Sequence, residues 1–466
     1  MRPCRQNIKF KVGAWLGPCA AIVILMASFG VSAQAIRPQS DRTLVILTSF
    51  PPVLFKTFTA AFEAKHPGIT VYVRSKKTSA AISFVEERIN EPVDVFWASA
   101  PDAFEVLKKA GHLRQAFGKS GPDGARIGSY PIDDPDGYYK GFAVSGYGIM
   151  WHQEYLKRHK LKAPTNWADL THSDYTRHIG ISAPSRSGTT HLIVESILQS
   201  QGWREGWATL LEISGNLATV TARSFGVIDG VLNQRFGIGL AIDFFGLSAK
   251  ATGAPVEFVY PTGTAFLPAN IAIVKRSANP VAAQAFVDFV LSQQGQSLLF
   301  APEISRLPVM TSLYENAPSH IANPFSDELI DKGIAFDTGL SQQRYQMVNS
   351  MFDVMITFRL QALRRTWKAI HDAEKALQGQ DYPDLSSRVQ KARELASAVP
   401  VKLDQATSPI SSSFFVRHKP GLSVPFRQSE LETQWAAFAR DHQDRAHKLA
   451  RDVLNELQAK AQRGHP

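Results

Sequence analysis

Thr43-Leu44-Val45-Ile46-Leu47-Thr48, running into Ser49-Phe50-Pro51-Pro52, is the stretch on which the fold is decided. Its apolar residues do not alternate with polar ones, so it reads as a strand covered on both faces. A helix follows, with Leu54, Phe58, Ala61 and Phe62 on one face and His66-Pro67-Gly68 as its stop. Thr70-Val71-Tyr72-Val73 makes a second strand, Ile82, Val85 and Ile89 mark a second helix, and Val93-Asp94-Val95-Phe96-Trp97 a third strand. Ala103, Val106, Leu107 and Ala110 line the next helix, which Gly111 closes. Strands alternating with helices argue for α/β architecture with a mostly parallel sheet.

Outward from there the pattern pauses in the loop-rich stretch 121–137. Asp133-Asp134-Pro135-Asp136-Gly137 has the look of a calcium loop, but Ile132 stands where the first acidic ligand is required, so it reads as an acidic turn. A second α/β unit runs through Ile179-Gly180-Ile181-Ser182, a helix after Thr189, Ala218-Thr219-Val220-Thr221, and 238–242. Strands return around 256–260 and 271–274, and a helix over 280–291 carries Ala282, Phe286 and Phe289 on one face. Beyond Pro308 the segments 340–378, 384–397 and 428–463 are charged with apolar residues at helical spacing, punctuated by Pro400, Pro409, Pro420 and Pro425. Residues 316–466 thus read as an all-helical extension, either packed on the α/β body or docking a membrane partner.

At the other end, Arg2, Arg5, Lys9 and Lys11 precede an uncharged stretch from Val12 to Ala35 that ends in Val31-Ser32-Ala33-Gln34-Ala35. A basic start, an apolar middle and small residues two apart make 1–35 an export signal, with an uncleaved anchor as the other reading of so long an apolar run. Most of that run follows Cys19, which argues against a lipid attached there. The chain of 466 residues carries 51 basic and 41 acidic residues, a net charge of +10. Without the signal the balance is 47 − 41 = +6, and both cysteines, Cys4 and Cys19, are gone. Two cysteines exclude a disulfide scaffold and a cysteine-based metal domain, and a modest unclustered positive balance speaks against nucleic acid as a partner.

Catalytic signatures are missing: there is no Walker loop, no G-x-S-x-G elbow and no H-E-x-x-H, and Gly237-Ile238-Gly239 lacks the third glycine of a dinucleotide loop. The histidines show no paired metal-ligand spacing, and His152 and His172 read as structural. What recurs is a hydroxyl cluster where a strand gives way to a helix: Thr48-Ser49, Thr78-Ser79, Ser99, Ser187-Gly188-Thr189-Thr190, and Arg223-Ser224. Each sets a hydroxyl beside the free N–H groups of a helix terminus, either as an N-cap or, where several termini converge, as an anion site.

These features together resemble a family. Leu47-Thr48-Ser49-Phe50-Pro51-Pro52, Phe62-Glu63-Ala64-Lys65-His66-Pro67-Gly68-Ile69, Asp94-Val95-Phe96-Trp97-Ala98-Ser99, Ser187-Gly188-Thr189 and Gly237-Ile238-Gly239-Leu240-Ala241-Ile242-Asp243 are similar, over roughly 42–310, to periplasmic substrate-binding proteins of bacterial ABC-type uptake systems. So is Asn279-Pro280 followed by Ala282, Ala285, Phe286 and Phe289. The branch resembled is that of ferric-ion and phosphorylated-compound binders, most of all the phosphoglycerate transport regulatory protein group. The resemblance implies a type II two-lobed fold closing by a hinge: lobe one at 36–140 plus 244–315, lobe two at 141–243, and hinge strands near 140–145 and Asp243. Ferric binders of the family carry adjacent tyrosines where this chain has Phe244-Phe245, and Tyr138-Tyr139 reads as a hinge or surface pair, so no metal site is assigned.

The implied function is capture of a small phosphorylated anion, without catalysis or cofactor, for presentation to an ABC permease or a sensor kinase. Expected ligand contacts are Ser49, Thr78, Ser79, Ser99, Ser187, Gly188, Thr189, Thr190, His191, Arg223, Ser224 and Asp243, with Arg306 as an alternative source of positive charge. Ferric-ion binding with ligands drawn from elsewhere is the alternative, and a phosphate-ester hydrolase would need a nucleophile or metal cluster that the sequence lacks.

Overall fold

The computed structural model describes residues 43–463 apart from 89, 120–123 and 417–422. The expected export signal and both cysteines therefore lie outside the described residues. The chain begins with β1 (Thr43–Thr48), α1 (Pro52–Lys65), β2 (Thr70–Ser75), α2 (Thr78–Glu87), β3 (Val95–Ala98) and α3 (Pro101–Lys109). A small hairpin, β4 (Arg126–Ile127) and β5 (Tyr130–Pro131), leads to the long β6 (Lys140–His152) and α4 (Gln153–His159). Then come β7 (Ile179–Ser182), α5 (Gly188–Gln201), α6 (Trp203–Gly215), β8 (Leu217–Thr221), α7 (Ser224–Leu232), β9 (Ile238–Ile242) and α8 (Asp243–Ala251). After β10 (Val256–Val259) and β11 (Phe266–Ile273) follow α9 (Pro280–Leu291), α10 (Gln293–Ser297), β12 (Leu307–Pro308) and α11 (Asp327–Lys332). The rest is helical: α12 (Thr338–Met355), α13 (Leu360–Leu377), α14 (Pro383–Ala396), α15 (Leu403–Ala406), α16 (Pro409–Ser413) and α17 (Phe426–Arg463).

The strands form one continuous ladder in the order β2-β1-β3-β11-β6-β9-β7-β8, with β10 and β12 also on β6. β1 runs parallel to β2 and β3, and β7 parallel to β8 and β9, whereas β6 and β11 are antiparallel to their neighbours. β6 belongs to both halves. Residues 140–146 pair with β11 and β12, and residues 147–152 pair with β9 and β10. It is thus the first crossing strand between two lobes. Farther along, α8 packs on β10, and β10 pairs with residues 149–152 of β6, the half that also pairs with β9.

Lobe one is nailed together by buried Asp94, which accepts from the Val45 N–H (2.8 Å), the Ser277 hydroxyl (2.7 Å) and the Asn279 N–H (2.9 Å). Its aromatic core stacks Trp97 edge-on against Phe50, Phe58 and Phe286. Burial of each such ring contributes roughly 1.5–3 kcal/mol. The helical extension has no separate core: Met347, Met351, Trp367, Ile370, Val389, Trp435 and Val453 join Ile193, Trp203, Trp207 and Leu211 of lobe two in one apolar cluster.

Candidate functional site

In sheets of this kind the strand carboxyl ends open onto a crevice, and the helices that follow point their N-termini at it. Here β1 leads to α1, β3 to α3, β7 to α5 and β9 to α8. The two sides meet closely, since a methyl group placed on Gly188 at the start of α5 would touch the Ala100 methyl, before α3, at 3.8 Å.

The floor of this crevice is built around Arg306, which is 1% exposed. Its guanidinium carbon lies 3.6 Å from the ring centroid of Phe244, in the first turn of α8, and 4.5 Å from that of Phe50, just after β1. Its terminal amino groups are buried, and neither Nη1 nor Nη2 has an acceptor. Burial pushes this group down to about 9, against the pull of Asp243 and Tyr147. Asp243 itself accepts from the N–H groups of Gly146 (2.6 Å) and Phe244 (2.7 Å) and from the Tyr260 hydroxyl (3.1 Å). Burial pushes its carboxyl up to about 6.

Two more buried groups lack partners. Ser145 shares a face of β6 with Tyr147, and its hydroxyl is unmatched. Asn270 pairs in register with Ala98, the last residue of β3, and neither side-chain atom is satisfied. A buried donor left unpaired costs about 1–3 kcal/mol, more when charged, so such groups in one region call for an explanation. A guanidinium edge suits carboxylate or phosphate oxygens in bidentate fashion.

The residues named from the sequence fall into distinct places. Ser187 caps α5, its Oγ accepting from the Thr190 N–H (3.2 Å) and hydroxyl (3.1 Å), while Thr190 also bonds Ser182. Those hydroxyls satisfy one another. Gly188 and Thr189 stay half-buried at the same helix start, as do Ser49 after β1 and Ser99 after β3. Thr78 opens α2 half-buried, and the side chain of Ser79 lies outside the described residues. Arg223 is exposed, with Ser224 half-buried behind it at the start of α7. His191 is fully buried away from the crevice floor, bonded to Ser341 and Asn349 of the extension. The helices α1, α2, α3 and α7 have no side-chain cap, so the capping reading holds for the α5 junction alone.

Tyr139 differs from the sequence reading of a hinge or surface pair. It is buried against Phe104 in lobe one and donates to Glu105 at 2.7 Å, because α3 packs over the start of β6. Sequence reasoning overlooked Phe50, Phe244 as a stacking surface, Ser145 and Asn270. The only local signal was a charged Arg306 set in Ile304-Ser305-Arg306-Leu307-Pro308. Among the described residues no three His, Cys, Asp or Glu side chains group as metal ligands. Two surface grooves of about 450 and 460 Å³ lie on the extension, lined by residues such as Arg440 and Arg365, away from this chemistry.

A two-lobed α/β body with a crevice of helix N-termini is the architecture of a solute-binding protein, and residues 90–326 match the bacterial extracellular solute-binding protein family, to which the chain belongs. It is 32% identical over 377 residues to the phosphoglycerate transport regulatory protein PgtC of Salmonella typhimurium, covering 79% of this chain and 88% of that one. Among solved structures it is similar to the periplasmic binding protein AfuA of Actinobacillus pleuropneumoniae with fructose-6-phosphate bound. The TM-score is 0.57 at 21% identity, covering 67% of this chain and 98% of the other. Iron-bound HitA of Pseudomonas aeruginosa shares the fold too, with a TM-score of 0.52 at 17% identity, covering 70% and 99%. This chain shares the type II periplasmic binding protein fold with AfuA and HitA. A third of this chain has no counterpart in AfuA.

Proposed function

We propose that the protein captures a small phosphorylated organic anion of the phosphoglycerate kind between its lobes and presents it, chemically unchanged, to a membrane ABC permease or sensor kinase. Export to the periplasm through residues 1–35 belongs to the same reading. The observation that carries it is Arg306: a buried guanidinium, clasped by one ring from each lobe, with both terminal amino groups unpaired. A ligand oxyanion there completes the bonds that the protein leaves open, and it does so only when both rings are in place, which links binding to closure. The names of PgtC and of AfuA with its sugar phosphate agree with that chemistry.

The ferric alternative fares worse on the same geometry. Where iron binders of the family place a tyrosine, Phe244 lies against a guanidinium, and a cationic group is a poor neighbour for iron(III). Of the lobe boundaries, we retain β6 as the first crossing and move the second to about 260–266, so that lobe two spans roughly 141–260. The extension begins at about 316.

The test is a thermal-shift panel of phosphoglycerates, hexose phosphates, phosphonates, polyamines and iron(III), run on the parent and on Arg306→Met. A phosphorylated compound is expected to raise the parent's melting temperature by mass action. In the variant the response should weaken by a hundredfold or more in concentration, the usual cost of losing a charge-assisted pair of about 3 kcal/mol. Silence from every phosphorylated compound, or an undiminished response in Arg306→Met, refutes the proposal.

A further inference from the structure

The helix α12 touches both lobes, and it does so unequally. Along α5 of lobe two it runs antiparallel. Just before α12 the Asp337 N–H donates to Gln199 at 2.8 Å, and two turns on Arg344 grips Glu195 with Nε to Oε1 at 2.9 Å and Nη2 to Oε2 at 2.7 Å. The next residue, Tyr345, stacks on His191 with ring centroids 3.9 Å apart. The Arg344–Glu195 pair is buried on both sides, and α13 and α14 extend the same packing over α6. Taken with the shared apolar core, this fixes the extension to lobe two.

Toward lobe one, among the described residues, α12 makes polar contacts at α3 and at the β4–β5 hairpin. Ser341 lies beside the Asp102 carboxyl at the start of α3, Lys109 at the end of α3 donates to Gln342 at 2.8 Å, and Thr338 donates to the Tyr130 hydroxyl at 3.2 Å. The Ser341 contact continues a chain of bonds from lobe two. Asn349 and Ser341 flank the two ring nitrogens of His191 at 2.9 and 3.1 Å. His191 gives its Nδ1–H to the Asn349 carbonyl oxygen and accepts at Nε2 from the Ser341 hydroxyl.

We infer that α12 is a strap: a helix carried by lobe two that fastens to lobe one beside the crevice and holds the lobes together. Lobe one cannot swing away from lobe two without breaking the Asp102, Lys109 and Tyr130 contacts, whereas the lobe-two side of α12 is buried and stays. The crevice is therefore held shut from outside as well as by what it binds, and opening is felt at the joint between α3 and α12. That this regulates ligand capture rests on the crevice being the ligand site, as proposed above. The mechanical strap does not depend on it.

The experiment needs no ligand. Residues 36–466 contain no cysteine, so nitroxide labels can be attached through Lys77→Cys on lobe one, Arg204→Cys on lobe two and Lys391→Cys on α14, all exposed positions, taken in pairs. Pulsed electron-spin distances are compared between the parent and the combined Asp102→Ala, Lys109→Ala, Tyr130→Phe variant. Breaking the strap should broaden the Lys77-to-Arg204 and Lys77-to-Lys391 distributions and move them outward, while the Arg204-to-Lys391 distance stays unchanged. Two hydrogen bonds correspond to a shift of roughly fivefold to a hundredfold in the ratio of open to shut molecules. An unaltered Lys77-to-Arg204 distribution in the variant overturns the strap, and so does an Arg204-to-Lys391 distance that changes with it. Should the combined variant fail to fold, Lys109→Ala with Thr338→Val carries the same test on less buried groups. A strap that releases as expected while no phosphorylated compound binds leaves the strap standing and removes only the ligand assignment; the opposite pair of results does the reverse.

Discussion

At the scale of single residues the crevice collects titratable groups whose environments oppose their ordinary charge. Asp102 shows this most strongly. Burial, then the charge of Glu195, pushes its carboxyl up to about 7. A carboxyl that holds its proton more tightly when folded favours the native state below its unfolded value near 3.8, and that contribution drains away as pH rises from about 4 to 7. The rise corresponds to roughly 4 kcal/mol at most. Asp102→Asn keeps the hydrogen-bonding shape and drops the charge. It should raise the melting temperature clearly at pH 8 and much less at pH 5; equal gains at both pH values would mean that Asp102 is ionised throughout. Of the site itself, the sequence exposed the hydroxyls at strand ends and Asp243, because junctions between strand and helix are local events. It could not expose Phe50 and Phe244 as the two jaws on Arg306, since 306 − 50 = 256 residues separate the first from the guanidinium it faces.

At the scale of elements the governing seam lies between α6 and α13. Gly215 ends α6 directly against Trp367, so closely that a Cβ there would come within 2.5 Å of the Trp367 Cβ. Arg364 donates to the Leu217 carbonyl at 2.6 Å just beyond, and Glu212 gathers His371 at 3.1 Å and Arg393 at 2.6 Å. Gly215→Ala should therefore force the helices apart and cost about 1–3 kcal/mol, read as a lowered denaturation midpoint in urea. An unchanged midpoint would show that the seam yields without strain. Helix positions in the extension were legible from apolar spacing, but the segment 340–378 holds two helices. A short turn, Thr357–Arg359, separates α12 from α13. Neither glycine nor proline marks that break. It arises because fully buried Ile356 is drawn into the core while Phe358 is left exposed, a choice made by packing.

At the scale of the whole molecule, the extension and lobe two are one folding unit in their apolar interior, with lobe one carried on β6, β11 and the α12 contacts. Ending the chain before Thr338 would uncover the faces of α5 and α6 that hold Trp203, Trp207 and Leu211. Such a shortened protein should aggregate on size-exclusion chromatography with light scattering, as large exposed apolar patches do. A monodisperse monomer of parental stability would show instead that the extension is dispensable for folding. Among the described residues no helix is long and apolar enough to cross a membrane. By itself the sequence determined the α/β class, the run of strands and helices, and the helical character of the last third. Each follows from apolar spacing between residues a few positions apart, which the chain carries before it folds. Only the tertiary structure decided that the extension belongs to lobe two, that α12 reaches across to lobe one, and that Arg306 stands unpaired between two rings. Those facts depend on burial between segments far apart in sequence, and burial exists only once the core has closed.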